Sequence, residues 1–300
     1  MNISRRDFLK FCTASSATLA LSPLDLLNLE QALANPNGPS VLWLQGSGCT
    51  GCSVSLLNRI SGAAPTTVGD LLINTINLAY HPNLMAAAGD SAVKIARDVA
   101  ATGNYILAVE GGIPTAYGGA PCWAWTENGT DVTVANAVAS LASRAKAVLA
   151  IGTCACWGGM SAAAPNPTGV KGVSAVIQKP TVNIAGCPPH PDWIVSTIAQ
   201  YITTGSAGTL DSYGRPTALF GRTVHDQCPR EEHGRATVYG MDNYCLRSLG
   251  CYGPVTRAGC ARTLWNGGNN WCIDANAQCI GCTEPSFPGA PLRFHAAFDD

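Results

Sequence analysis

Short apolar, β-branched runs alternate with longer stretches of helical periodicity between about residues 40 and 205. Strands are predicted at residues 41–44, 76–80, 105–109, 147–151 and 182–184. Helices are predicted between them at residues 53–60, 91–101, 134–146 and 193–202. Strands that alternate with helices in this way are typical of a doubly wound α/β fold, in which a parallel sheet carries helices on both faces.

The last third of the chain has a different character. Past about residue 206 the periodicity fades, Gly, Pro, Asn and Cys become frequent, and no long apolar run remains. Such a segment must be held together by something other than a large core of its own. The predicted organisation is an N-terminal segment of residues 1–34, an α/β domain of residues 35–205 and a loop-rich domain of residues 206–300.

The first 34 residues contain three targeting signals in order. Arg5 and Arg6 stand in a twin-arginine pattern, an apolar stretch follows at residues 11–21, and Ala32-Leu33-Ala34 offers a small-residue cleavage site. The alternative is an amphipathic helix that stays attached. The three signals together predict a signal peptide and export to the periplasm by the twin-arginine route. The remaining sequence has no apolar run long enough to span a bilayer, so no transmembrane segment is expected in the mature chain.

Composition excludes one class of partner and indicates another. Hydrophobic residues make up 47% of the 300 residues, which is enough for a sizeable core. Charged residues make up only 12%, about half of the usual share, so part of the surface is expected to be covered by a partner protein. A formal net charge of -1 and the absence of any basic stripe argue against nucleic-acid binding.

The sequence has fourteen cysteines, and removal of Cys12 with the signal peptide leaves thirteen. Disulfides are the default interpretation in an oxidising compartment, but an odd number does not allow complete pairing. The twin-arginine route exports proteins that have already folded around their cofactors, so thiols can bind metal in the reducing cytoplasm. Metal–thiolate sites are therefore compatible with the predicted export.

Four cysteines follow predicted strands, and they are Cys49, Cys52, Cys154 and Cys187. The carboxyl ends of parallel strands share one edge of a sheet, where open α/β sheets bind their ligands. Cysteines far apart in sequence are therefore expected to meet at this edge. Four converging thiolates suit either a tetrahedral zinc ion or a cubane iron–sulfur cluster.

The loop that holds the first two of these cysteines also fits a nucleotide-binding pattern. Residues 46–51 read Gly-Ser-Gly-Cys-Thr-Gly, which is formally G-x-G-x-x-G between a strand and a helix. A dinucleotide fold also needs an acidic residue at the end of the second strand, where this chain has His81 and Pro82. We therefore disfavour nucleotide binding and interpret the glycines as letting the loop direct its N–H groups at cluster sulfurs.

The loop-rich domain contains seven cysteines and one candidate ligand histidine between residues 225 and 282. A lone histidine is usually structural, but His225 precedes a cysteine by three positions in a segment with no evident core. Counting then gives two further groups of four ligands. These groups are His225, Cys228, Cys245 and Cys251, and Cys260, Cys272, Cys279 and Cys282. Cys122 and Cys156 stay outside the three groups and are expected to pack as small hydrophobic side chains.

Five motifs closely resemble those of nickel–iron hydrogenase small subunits, occur in the same order, and cover essentially the whole mature chain. They are Cys49-Thr50-Gly51-Cys52, Gly152-Thr153-Cys154-Ala155, Gly186-Cys187-Pro188-Pro189-His190-Pro191, His225-Asp226-Gln227-Cys228 and Cys279-Ile280-Gly281-Cys282-Thr283-Glu284-Pro285. A single C-x-x-C motif would be weak, whereas the five motifs in order are highly specific.

The resemblance implies a flavodoxin-like domain with a proximal 4Fe-4S cluster on the strand-end cysteines. It also implies a distal 4Fe-4S cluster on the group that contains His225, and a medial cluster on Cys260, Cys279 and Cys282. Dihydrogen would be split at a nickel–iron centre in a separate large subunit, so this chain would conduct electrons within a heterodimer and contain no catalytic residue. An external redox protein, expected to be a multihaem cytochrome c, would exchange electrons with the distal cluster.

Departures from the commonest family pattern refine these expectations. Many relatives have Glu at the positions of Gly48 and Val54, so this loop looks more like the nickel–iron–selenium branch, whose selenocysteine would belong to the large subunit. Oxygen-tolerant relatives have additional cysteines where this chain has Gly51 and Gly159, so an ordinary proximal cubane is expected. Many relatives have proline at the position of Cys272 and hold a three-iron medial cluster. A thiolate there predicts three 4Fe-4S clusters in all, and the alternative is a spare buried thiol.

Two other functions stay open at this point. A stand-alone periplasmic electron carrier would use the same clusters without a hydrogenase partner, and the low charge content argues against it. A disulfide-rich exported domain would contain no metal, and the clustered histidine and cysteine motifs argue against that. Visible absorbance and iron content distinguish the second alternative from a cluster protein.

Overall fold

The structure is a computed structural model that describes residues 39–60, 67–69, 72 and 76–289. The predicted signal peptide, residues 1–34, lies outside the described residues, as does the end of the predicted loop-rich domain after residue 289. The boundary that we predict between the two domains, at residues 205 and 206, stays a prediction.

The described residues form a parallel sheet and several shorter pairings. The strands in chain order are β1 (Ser40–Gln45), β2 (Leu78–Tyr80), β3 (Tyr105–Glu110), β4 (Ile113–Pro114), β5 (Trp123–Glu127), β6 (Thr130–Thr133), β7 (Ala147–Ile151), β8 (Val170–Lys171) and β9 (Val182–Ile184). Five of them form one parallel sheet in the order β2-β1-β3-β7-β9. All six residues of β3 are buried, as expected for a strand covered by helices on both faces. The predicted doubly wound α/β fold is confirmed, and its strand order is that of flavodoxin-like sheets.

The helices account for the longer periodic stretches. In chain order they are α1 (Gly51–Leu57), α2 (Gly89–Thr102), α3 (Val134–Ala142), α4 (Thr153–Trp157), α5 (Val173–Ile177), α6 (Pro191–Thr204), α7 (Thr217–Phe220) and α8 (Cys260–Thr263). The four predicted helices correspond to α1, α2, α3 and α6. The ends of helix α6 are well defined, because the His190 side chain caps its first turn and Gly205 ends it with φ of 71°. No helix of the described residues is both long enough and apolar enough to cross a membrane.

A hairpin of β5 and β6 was not predicted from the sequence. Its turn residues Asn128 and Gly129 both have positive φ, 51° and 75°, as a two-residue hairpin turn requires. The Arg97 guanidinium binds Glu127 at 2.6 Å and lies 5.4 Å from the ring centre of Trp125, which fixes the hairpin on α2. The Asn-Gly pair is a sequence signal for such a turn. The residues on either side of it are mostly exposed or half-buried, so they lack the apolar pattern of core strands.

After α6 the regular elements are short, as predicted. Helices α7 and α8 have four residues each, and the 3₁₀ turns His225–Gln227 and Arg247–Leu249 have three. Trp271 and Ile273 are nevertheless buried and join the same hydrophobic core as the sheet. The loop-rich segment is therefore packed onto the α/β part of the molecule, and its own backbone hydrogen bonds lie in turns and short helices rather than in long elements.

Arg215 is a buried charged residue that links the beginning of the loop-rich segment to its end. Its guanidinium donates to Asp211 Oδ2 at 2.8 Å and to Glu284 Oε1 at 2.9 Å. It also donates to the Thr283 carbonyl at 3.0 Å and lies over the rings of Trp157 and Phe220. A fully buried guanidinium is stable only with such partners, so this residue fixes the segment after the last cysteine against the beginning of the loop-rich segment.

We expect Arg215→Met to lower the free energy of unfolding by about 3–5 kcal/mol, because Glu284 stays buried without its counter-charge. Denaturant unfolding of the purified protein measures this loss. Arg222→Met is the matched control, since Arg222 is exposed and its guanidinium donates only to the Asp226 carbonyl in the described contacts. A loss below about 0.5 kcal/mol is expected for the control. Equal effects of the two substitutions would contradict the assignment of a buried charge link.

Candidate metal centres

The first candidate centre lies at the carboxyl edge of the sheet. Cys49 comes from the turn between β1 and α1, Cys52 from the first turn of α1, Cys154 from α4 after β7, and Cys187 from the loop after β9. Burial raises the pKa of Cys52 well above its ordinary value, and the charges of Glu110 and of the other three cysteines raise it further. Such mutual effects require the four thiols to be near one another. The structure therefore brings together the four cysteines that were predicted to meet.

Local backbone geometry makes room for these sulfurs. Thr50 has a left-handed conformation with φ of 63°, which turns the chain from β1 into α1. Gly152 has φ of 86°, and a Cβ atom there would lie 2.4 Å from Cys52 Sγ. Its N–H donates to the Ile184 carbonyl at 2.9 Å and so ties the end of β7 to the end of β9. Only glycine can hold this position, because a side chain would collide with the sulfur.

The glycine pattern of residues 46–51 has a structural explanation that does not involve phosphate. Gly46 N donates to the Glu110 carbonyl at 2.7 Å, and Ser47 N donates to the Gly112 carbonyl at 2.8 Å. These two N–H groups bind the loop after β3 and are not available to a ligand. Our interpretation that the glycines direct N–H groups at cluster sulfurs is therefore wrong for Gly46 and Ser47.

Glu110 is a site residue that the sequence analysis missed. It ends β3 and is only 2% exposed. Its carboxylate accepts hydrogen bonds from the side chains of Trp43 at 3.1 Å and Gln45 at 3.2 Å. It also accepts from the backbone N–H groups of Cys52 at 2.9 Å and Ser53 at 3.1 Å. Glu110 thus holds the first turn of α1, including Cys52, against the sheet. The signal in the sequence was an acidic residue at the end of an otherwise apolar strand.

A buried histidine extends this network. His81 Nδ1 accepts the N–H of Asn83 at 3.2 Å, so the neutral ring has its proton on Nε2, which lies 3.1 Å from Ser53 Oγ. Burial lowers the pKa of His81 to about 4 despite the nearby Glu110, which keeps the ring neutral near pH 7. Ser53 Oγ donates to Glu110 Oε2 at 2.5 Å. Hydrogen bonds therefore connect the His81 imidazole through Ser53 to the Glu110 carboxylate and hold the first turn of α1 in place.

The second candidate centre lies in the loop-rich segment, around the 3₁₀ turn that begins at His225. Cys228 N donates to the His225 carbonyl at 2.9 Å, and His225 N donates to the Gly253 carbonyl at 3.0 Å. Burial raises the pKa of Cys228, and the charges of Cys251 and Cys245 raise it further. The structure brings these three predicted cysteines together and places the backbone of His225 beside them.

The third candidate centre contains Cys260, Cys272, Cys279 and Cys282. Burial raises the pKa of Cys260 to about 12, with further increases from the charges of Cys279 and Cys272. Burial also raises the pKa of Cys282, and the charges of Cys260 and Cys272 add to this effect. Cys272 therefore lies near the other thiols of this group, although Cys272 is exposed and the other three cysteines are half-buried.

Backbone N–H groups point at sulfurs of the loop-rich segment. Arg230 N donates to Cys228 Sγ at 3.4 Å, and Cys279 N donates to Cys251 Sγ at 3.3 Å. The Thr256 hydroxyl lies 3.5 Å from Cys279 Sγ. Hydrogen bonds to a sulfur favour its anionic form, which is the form that binds metal.

These groups of thiols fit iron–sulfur clusters. Thiolates that are buried close together repel one another, and a bound iron core supplies the positive charge that offsets the repulsion. No three or more His, Cys, Asp or Glu side chains of the described residues converge closely enough to hold a single metal ion. A cubane binds each cysteine through a different iron, so its ligands surround a volume and do not need to meet at one point.

The two unassigned cysteines pack as expected. Cys156 is buried, and its thiol donates to the Ala150 carbonyl at 3.5 Å. Cys122 is half-buried, and burial raises its pKa. All thirteen described cysteines are free thiols, so the described part of the chain gives no support to the disulfide-rich alternative.

Two family models match the chain. The model described as "NADH ubiquinone oxidoreductase, 20 Kd subunit" matches residues 49–201. The model for the C-terminal part of the NiFe/NiFeSe hydrogenase small subunit matches residues 220–294. The first match spans the four strand-end cysteines and every strand of the sheet except β1, and the second spans the two cysteine groups of the loop-rich segment.

Similar proteins cover nearly the whole chain. The small subunit 1 of the periplasmic [NiFe] hydrogenase of Nitratidesulfovibrio vulgaris is 39% identical over 95% of this chain and 90% of its own length. The small subunit of the periplasmic [NiFeSe] hydrogenase of Desulfomicrobium baculatum is 38% identical over 99% of this chain and its full length. The solved structure of the recombinant [NiFeSe] hydrogenase of Desulfovibrio vulgaris Hildenborough has a chain with 40% identity and a TM-score of 0.79, covering 87% of this chain and 98% of its own.

Proposed function

This chain belongs to the family of NiFe and NiFeSe hydrogenase small subunits, and we propose that it relays electrons through three iron–sulfur clusters between a large subunit and an external redox protein. The family resemblance inferred from the five motifs is confirmed. Hydrogenase small subunits are part of an oxidoreductase that acts on dihydrogen, whose catalytic centre lies in the large subunit. The observation that carries the proposal is the presence, within one molecule, of three groups of neighbouring thiols that affect one another's pKa.

The proposed ligands follow these groups. The proximal 4Fe-4S cluster takes Cys49, Cys52, Cys154 and Cys187, the distal 4Fe-4S cluster takes His225, Cys228, Cys245 and Cys251, and the medial cluster takes Cys260, Cys272, Cys279 and Cys282. The names of the relatives support a periplasmic location, and the twin-arginine signal is the proposed route of export. The proposed external partner is a multihaem cytochrome c.

We further propose that the large subunit docks beside the proximal group. Cys49 and Cys187 are both exposed, although a redox cluster requires protection from bulk solvent. The neighbouring face of α1 exposes Val54 by 49% and Ile60, just beyond the helix, by 69%. A cavity of about 550 Å³ opens between these residues and Trp265. An exposed apolar face of this kind next to the entry thiols suits a permanent partner.

The alternative function is a stand-alone electron carrier. Such a carrier would need a polar surface around its clusters, whereas the α1 face is apolar and the whole chain has only 12% charged residues. Co-purification of the chain with a nickel-containing partner distinguishes the two functions.

We expect Ile60→Asp to abolish co-purification with the large subunit, because a carboxylate at the centre of an apolar interface is desolvated without a partner. The control is Val238→Asp, since Val238 is 61% exposed in the loop-rich segment, away from the α1 face in sequence. Anaerobic pull-down of the tagged chain, followed by nickel analysis, measures the complex. Wild-type recovery of the complex with Ile60→Asp would rule out this face as the interface.

We expect His225→Cys to leave dihydrogen activation largely intact and to slow electron delivery to an external acceptor. Imidazole ligation affects the potential of the distal cluster, which is the proposed exit. Isotope exchange between dihydrogen and water measures activation, and dye or cytochrome reduction measures delivery. Equal loss of both activities would argue against a distal role for His225.

We expect Cys272→Pro to convert the medial 4Fe-4S cluster to a three-iron cluster, because proline removes the thiolate of the fourth iron. Electron paramagnetic resonance of the oxidised, anaerobically purified heterodimer should show a three-iron signal in the variant and none in the wild type. The other two clusters should be unchanged. A strong three-iron signal in intact wild-type protein would show that Cys272 is not a ligand.

A further inference from the structure

A buried hydroxyl connects the proximal group of thiols to the medial group. Thr153 directly precedes Cys154 and is 1% exposed. Its Oγ1 donates to the carbonyl of Cys282 at 2.5 Å, although the two residues are 129 positions apart. The same Oγ1 accepts the N–H of Gly186 at 3.0 Å, the residue before Cys187. One hydroxyl thus connects the Cys154 loop, to which Thr153 belongs, with the Cys187 loop and with the backbone of Cys282.

The geometry around this hydroxyl leaves it little freedom. Thr153 N donates to the Gly186 carbonyl at 2.9 Å, so the two proximal loops are paired in both directions. The single hydroxyl proton is donated to the Cys282 carbonyl, and a lone pair of the hydroxyl oxygen accepts the Gly186 N–H. The backbone N–H of Cys187 also hydrogen-bonds to the Cys282 thiol, which adds a second contact across the same junction.

The junction between the medial and distal groups is built differently. Cys279 N donates directly to Cys251 Sγ at 3.3 Å, and Tyr252 N donates to the Cys279 carbonyl at 2.8 Å. Both contacts at this second junction come from the backbone and do not depend on the side chain of a non-ligand residue. The first junction, in contrast, also includes a side-chain contact, from Thr153, that can be changed without altering any ligand.

We propose that Thr153 is a positioning residue that fixes the separation of the proximal and medial clusters and provides the hydrogen-bonded path between them. This inference rests on the proposed electron relay. At this junction one electron leaves the proximal cluster and one arrives at the medial cluster, and no bond forms or breaks. Electron tunnelling slows steeply as the gap widens, and a hydrogen-bonded contact couples two centres better than a gap does. Among the described contacts, loss of the hydroxyl leaves the Cys282 loop held at the sheet edge by the Cys187 N–H contact alone and so weakens the coupling.

The test compares Thr153→Val with the wild-type heterodimer. Valine keeps the shape of threonine and removes the hydroxyl, which leaves the Cys282 carbonyl and the Gly186 N–H without their partner. We expect the magnetic splitting between the reduced proximal and medial clusters to decrease in electron paramagnetic resonance. We also expect a several-fold slower appearance of electrons in the medial cluster after rapid mixing with dihydrogen. The midpoint potentials should be unchanged, because no hydrogen bond to a sulfur is removed.

Thr283→Val is the matched control. Thr283 is also 1% exposed and adjoins Cys282, but its hydroxyl donates to the Arg257 carbonyl at 3.0 Å within the loop-rich segment. This variant loses an equivalent buried hydrogen bond without affecting the junction, so wild-type splitting and transfer are expected. Thr153→Ser keeps the hydroxyl and should behave like the wild type. If Thr153→Val does not retain its clusters, Thr153→Ser decides: wild-type coupling supports the proposal and reduced coupling overturns it.

Two results separate failure of this inference from failure of the proposed function. Wild-type splitting and transfer in a fully metallated Thr153→Val heterodimer would overturn the positioning role alone. An equal decrease in Thr283→Val would do the same, because the effect would then follow from any lost hydrogen bond near Cys282. A wild-type heterodimer without iron–sulfur signals would overturn the proposed relay and, with it, this inference.

Discussion

Buried thiols that lie close together can ionise only when a positive core offsets their charge, and much of this structure depends on that constraint. Burial raises the pKa of Cys279 and Cys282, and their neighbouring thiols raise it further. In the loop-rich segment the described helices have only four residues, so long regular elements contribute little to its stability. Metal–thiolate bonds then contribute to the folding free energy itself, as they do in other small metal-binding segments. The segment is consequently expected to depend on its clusters for stability, whereas the parallel sheet has a core of its own.

The sheet provides the first group of thiols with a rigid edge, and Glu110 connects the two. Its carboxylate accepts hydrogen bonds from Trp43, Gln45, Cys52 and Ser53 and pairs with no cation of the described residues, so its negative charge remains near the thiols and raises the pKa of Cys52. This position therefore has two physical effects. It fixes the first turn of α1, and it adds negative charge beside the proximal group, which disfavours the arrival of a further electron there. The neutral His81 below it completes the network without reducing that charge.

The parts of the molecule that follow from local pattern could be predicted, and those that follow from tertiary contacts could not. The strands at residues 147–151 and 182–184 have the predicted bounds, because buried β-branched runs with clear turn signals leave few alternatives. Strand β2 begins two residues later than predicted. Nothing in the sequence indicated that Arg59 and Arg215 would be buried. Arg59 pairs with Asp192, which is 133 positions away, and the partners of Arg215 include the distant Glu284. The cysteine groups could be proposed because their spacing is itself the pattern, whereas Thr153 stands out only once its hydroxyl is seen to contact Cys282.

Under the proposed ligand sets, the three centres differ in charge and surroundings in a way that gives the relay a direction. Four thiolates hold the proximal and medial clusters, whereas three thiolates and a neutral imidazole hold the distal one, which therefore has one negative charge fewer. Net charge and burial are among the main determinants of cluster potential, and a less negative ligand set favours the reduced state. Burial also raises the pKa of the medial thiols Cys279 and Cys282, which disfavours added negative charge there. A distal cluster held by His225 would therefore take up an electron more readily, and the turn His225–Gln227 with its exposed Asp226 would leave that cluster accessible to an external acceptor.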